Sequence, residues 1–100
     1  MWNGNINDTV TYKDSDSNTL RNGRVMEVSS DMDSYEDMRL ENGIPMYWSK
    51  KTKKYVPVKD KNMDTVYISV ISGENTWNER TDYIFLNEIV SGANPPVKEL

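Results

Sequence analysis

The chain contains neither cysteine nor histidine. Without the first, no disulfide framework or thiolate zinc site can form; without the second, the commonest general base and transition-metal ligand are gone. His-dependent catalytic triads and conventional zinc hydrolysis are therefore excluded, and carboxylates are the main acid/base groups left. No Gly-rich phosphate loop, serine elbow or nucleotide fingerprint is present either. Long apolar runs are also missing. The opening MWNGNINDTV has no basic region followed by an apolar stretch, so neither a leader nor a membrane span is expected, and the reading is a soluble, cytoplasmic, non-enzymatic protein without cofactor or metal.

What is present is a 100-residue chain with 36% hydrophobic residues and ten aromatics spread along its length. That length suits one small domain with a modest core. The expected organisation is a β domain over 1–90 followed by a flexible tail over 91–100, whose SGANPPVKEL composition is that of an extended terminus.

Period-two alternation identifies the strands. Val10 and Tyr12 alternate with threonines, and Arg24 to Val28 follows a polar, turn-rich segment, which predicts an antiparallel hairpin over 8–28 with a long mobile loop. Ile44 to Trp48 and Tyr55 to Val58 read as a second hairpin, whose Pro45 and Pro57 point to sheet edges. The clearest strand is Thr65 to Ile71, with Val66, Ile68 and Val70 facing the core; a last strand from Asp82 runs into a helical turn at Asn87-Glu88. Tyr67 and Ser69 take the other side of the Thr65 to Ile71 strand by alternation, and core use accounts for most of Tyr12, Tyr67, Tyr83 and Phe85. Residues 34–42 admit two readings. Ser34 and Asp37 resemble a capping box, with Asn42-Gly43 as the end of a short helix, but an acidic loop has the same composition.

Five or six short strands favour a small antiparallel barrel. The segment NDTVTYKDSDSNTLRNGRVMEV resembles the first hairpin of SH3-like barrels of the Tudor and KOW kind, and TVYISVISG with DYIFLNEI is similar to their last strands and terminal helical turn. The resemblance covers about half the chain and implies a mostly β, SH3-like barrel of five to six strands, with residues 29–64 as a charged insertion. It implies nothing about function.

Charge is unevenly distributed. Residues 50–61 hold six lysines and one acid, net +5, which leaves −9 on the rest of a chain of net −4. Lys50, Lys51, Lys53 and Lys54, flanked by Tyr47, Trp48 and Tyr55, have the composition of a phosphate-binding and base-stacking hairpin. The same lysines also protect a strand edge from pairing with other chains. The acidic run Asp31, Asp33, Glu36, Asp37 offers a negative surface to a basic partner, and Trp77 joins Trp48 as an aromatic contact candidate. Asp14-x-Asp16-x-Asn18 begins like a calcium loop, but Thr19 replaces its glycine and Val25 its bidentate glutamate, so no metal site is expected.

The expected function is protein interaction, in the manner of a microbial or phage inhibitor or adaptor. Nucleic-acid binding by the 47–61 hairpin is the alternative, and a subunit of a homo-oligomer the third reading.

Overall fold

A computed structural model describes residues 2–14 and 16–92. These residues are mostly β, with eight strands among them: β1 (Thr9–Asp14), β2 (Thr19–Ser30), β3 (Arg39–Glu41), β4 (Ile44–Ser49), β5 (Lys54–Pro57), β6 (Val66–Ser72), β7 (Arg80–Phe85) and β8 (Ile89–Gly92). Two 3-10 turns, Asp60–Thr65 and Leu86–Glu88, complete the order. The strands form an antiparallel five-stranded sheet in the order β7-β6-β2-β1-β8 and a three-stranded sheet β3-β4-β5. The predicted tail lies almost entirely outside the described residues.

The core is the inner face of the larger sheet. Val10, Val25, Val66, Ile68 and Val70 are fully buried, with Leu40 contributed from the smaller sheet and Val58 from just after its last strand. β6 alternates as the sequence predicts, with Val66, Ile68 and Val70 all at 0% exposure. Gly23 marks where the sheet is tightest: it pairs with Val10, and a Cβ added there would strike Val70 Cγ1 and lie 2.9 Å from the Ile71 carbonyl oxygen. Replacing a strand glycine by alanine ordinarily stabilises by reducing unfolded-state entropy. Gly23→Ala reverses that sign, with an expected loss of about 1–3 kcal/mol from overpacking, read as a lower denaturant midpoint at unchanged m-value.

The sheet coils without closing. β7 and β8 are its two edges, so the expected closed barrel is not formed among the described residues. The reason lies in the last connection. After Phe85 the single 3-10 turn, held by the Glu88 carboxylate accepting the Phe85 N–H at 2.8 Å, sends β8 across to pair with β1 and not back along β7.

Three other expectations change. The predicted hairpin over 8–28 exists, but its loop is short: β2 already starts at Thr19, and the Asn18 N–H, at φ 56°, closes the turn on the Asp14 carbonyl at 2.8 Å. No helix occupies 34–42. Asn42 and Gly43, at φ 51° and 82°, form instead the two-residue hairpin turn joining β3 to β4. Pro57 does lie in an edge strand, whereas Pro45 lies in the central strand of its sheet, opposite Leu40. Next to a two-residue turn, Glu41 and Ile44 are the hydrogen-bonded pair, so Leu40 and Pro45 form the non-bonded pair and β3 loses no ladder bond to the proline; toward β5 the missing N–H removes one bond, at the end of that ladder. The Pro45 carbonyl still accepts the Val58 N–H at 2.9 Å.

Candidate functional site

Two polar or aromatic groupings stand out, and their chemistry differs. The first sits at one end of the coiled sheet. The Tyr12 hydroxyl donates to Asp82 Oδ2 at 2.6 Å. β1 and β7 are separated by β2 and β6, so in a flat sheet these strands would lie about 14 Å apart. The contact therefore requires the sheet to curl on itself, and side chains span the gap that the backbone leaves open.

Arg80 holds Asp82 at 2.6 Å and approaches Asp14 Oδ2 at 3.4 Å, while Arg21 Nε donates to the same Asp14 oxygen at 2.6 Å. The Asp14 side chain is 2% exposed, and its other oxygen accepts the Asp16 N–H at 2.9 Å. The bond from Arg21, then that from Asp16, hold its carboxyl down from 3.8 to about 2. Burial first, and the bond to Asp82 second, push the Tyr12 hydroxyl up to about 12. A recess of about 100 Å³ opens over this cluster, but its guanidiniums and carboxylates already satisfy one another. The arrangement is a clasp, and among the described residues no group of acids could hold a metal ion.

The second grouping is on the outside of β6 and β7. Register pairs Tyr67 with Phe85 and Ser69 with Tyr83, and alternation turns all four away from Ile68 and Ile84. Tyr83 is 71% exposed and Phe85 42%, contrary to the core role expected of them; hydrophobicity put them inside, and register puts them out. Tyr67 meets both rings edge-on, at centroid distances of 6.1 Å from Tyr83 and 6.5 Å from Phe85. The Ser69 hydroxyl in the same row is buried without a hydrogen-bond partner.

Two depressions meet at Phe85. One, of about 510 Å³, is lined by Asp31, Tyr67, Tyr83 and Phe85. The other, of about 550 Å³, is lined by Asp60, Met63, Asp64, Phe85, Leu86 and Asn87. Among the described residues, only carboxylates carry charge in either lining. The β7 edge beside them has no strand paired to it among the described residues.

The residues singled out in the sequence are distributed over three places. Asp31 lines the aromatic groove. Trp77, 97% exposed, projects from the β6–β7 loop, whose own bonds hold it: Thr76 N–H to the Gly73 carbonyl at 3.0 Å, Asn75 N–H to the Glu79 carboxylate at 3.0 Å. The remainder gather on the smaller sheet. Glu36 faces Lys50 at 3.4 Å, Asp37 accepts the Tyr55 hydroxyl at 2.7 Å, and the Glu36 carbonyl accepts the Trp48 N–H at 3.0 Å. Part of the acidic run thus folds onto the lysine hairpin.

Tyr47 stacks on Tyr35 at 4.4 Å, Trp48 meets Tyr55 edge-on at 5.1 Å, and the Arg39 guanidinium covers the Tyr55 ring at 4.0 Å. Lys51, Lys53, Lys54 and Asp33 are exposed. No family model, curated protein or solved structure matches the chain. Among the described residues no helix is long and apolar enough to cross a membrane.

Proposed function

We propose that the chain is a non-enzymatic protein-interaction module that docks another protein on the outer face of β6 and β7. The observation that carries this is the exposure of Tyr83 and Phe85 on a well-paired strand, with Tyr67 beside them. Clustered exposed aromatics beside an unpaired strand edge are the composition of binding hot spots, and a rigid sheet keeps the ordering cost of docking low. Trp77, fixed outward on the hairpin's own loop, extends the same element.

The coiled five-stranded sheet, its last strand paired with its first and a 3-10 turn before that last strand, supports the SH3-like reading of the fold. The nucleic-acid reading has weaker support. Arg39 and Trp48 already occupy the Tyr55 ring, and Lys50 faces Glu36, so stacking surface and charge are partly spent within the hairpin.

The double variant Tyr83→Ala, Phe85→Ala tests the proposal. Both side chains leave solvent-exposed positions, so Tm should move by only a few degrees. Retention of partner protein from extracts of the producing cells should fall at least about 10-fold. Unchanged retention by the folded variant would contradict the assignment.

A further inference from the structure

Building on that docking face, we propose that the protein it accepts is a second copy of this chain, whose lysine-bearing β4–β5 tip enters the acidic aromatic groove. The two surfaces are complementary. The groove carries Asp31, Asp60 and Asp64 beside Phe85 and Tyr67, and among the described residues no cation lines it; Lys59 and Lys61, the neighbours of Asp60, are exposed outside the lining.

The tip presents Lys50, Lys51, Lys53 and Lys54, all exposed. Its backbone is defined, with the Lys53 N–H bonded to the Ser49 carbonyl at 2.7 Å and Lys53 held at φ 56°. The arginines, by contrast, are committed inside the chain: Arg21 and Arg80 to the clasp, Arg24 to Glu74 at 2.6 Å, Arg39 to the Tyr55 ring. The tip lysines are thus the concentrated cationic feature still available, with one ion pair among them, Lys50 to Glu36.

The tip does not fill the groove of its own chain. None of the four tip lysines lines either depression, and the paired strand β5 stands between Lys53 and Asp60 in the chain. On this proposal the contact comes from another copy. Tip and groove are different surfaces, so copies join either as a two-fold pair that exchanges both contacts or head-to-tail into a ring or a string. Lysine ammonium groups over tyrosine and phenylalanine faces, with carboxylates at the rim, combine cation–π attraction with charge pairing.

Sedimentation velocity over a concentration series, at about 20 mM and about 500 mM salt, measures this. Wild-type chain should gain mass with concentration at low salt, with an apparent dissociation constant at least about 10-fold weaker at high salt. A tip variant (Lys50→Glu, Lys51→Glu, Lys53→Glu, Lys54→Glu) and a groove variant (Asp31→Lys, Asp60→Lys, Asp64→Lys) should each sediment as monomers. Mixed, they should associate again, because the exchanged charges are once more complementary; a misfolded variant would not recover.

A wild-type chain that stays monomeric at every concentration overturns the proposal, as does a mixture of the two variants that fails to associate. Neither outcome touches the broader docking assignment, which the Tyr83 and Phe85 variant decides separately.

Discussion

Replacing Asp14 by asparagine lowers Tm by on the order of 10 °C. The side chain is 2% exposed and takes Arg21 at 2.6 Å and Arg80 at 3.4 Å on a single oxygen. Asparagine keeps an acceptor for the Asp16 N–H but removes the charge that two guanidiniums share, leaving both cations beside a neutral amide at the end of the sheet. Glu74→Gln is the contrasting case. Its pair with Arg24 is as short, at 2.6 Å, but 37% and 38% exposed, and solvent screening reduces its expected shift to a few degrees at most.

The clasp also sets a pH window. The Asp14 carboxyl lies below its ordinary value, so its stabilisation is complete above about pH 4 and is lost as pH falls toward about 2. The Tyr12 hydroxyl lies above its ordinary value, so its contribution is complete below about pH 10 and is lost as pH rises through about 12. Stability measured by denaturant titration should therefore carry both contributions from about pH 4 to about pH 10. Asp14→Asn flattens the acid limb and Tyr12→Phe the alkaline one; variants with the wild-type limbs would show that the clasp does not couple to folding.

Ile68→Ala costs about 2–5 kcal/mol, a large share of the ~5–15 kcal/mol typical of a domain. Ile68 is at 0% exposure, on the central part of the inner face, paired with Val28 on one side and Ile84 on the other. Both neighbours are themselves buried and belong to paired strands, so the space vacated by the side chain cannot collapse cheaply. Equilibrium urea unfolding should show a lower midpoint at an m-value close to wild type. Its strand neighbour in the alternation, Tyr67, faces outward, which makes the pair a direct test of the register.

The inner face was legible because β6 alternates in a single unambiguous period, Val66, Ile68, Val70, and burial follows the pattern. The outer face was not. Tyr83 and Phe85 are as apolar in composition as core residues, and only their pairing with Ser69 and Tyr67 shows that they share the solvent side. Asn42-Gly43 is ambiguous for a different reason: the left-handed conformation suits a helix end and a two-residue hairpin turn alike, and the choice depends on Leu40 facing Pro45 across β3 and β4.

The clasp was hidden by distance along the chain. Asp14 sits beside a turn that looked like part of a calcium loop, and nothing local announces Arg80 as its partner. The lysine hairpin is legible in its two apolar strands and the lysine turn between them, while the approach of Glu36 and Asp37 to it depends on a loop without periodicity.

Site-specific photocrosslinking tests the docking face most directly. A benzophenone amino acid placed at position 83, and as a control at exposed Thr19 at the start of β2, is irradiated in extract of the producing cells. The account predicts discrete protein adducts, including adducts to a second copy of this chain, at position 83 and none at position 19; equal labelling at both positions, or none at 83, would contradict it.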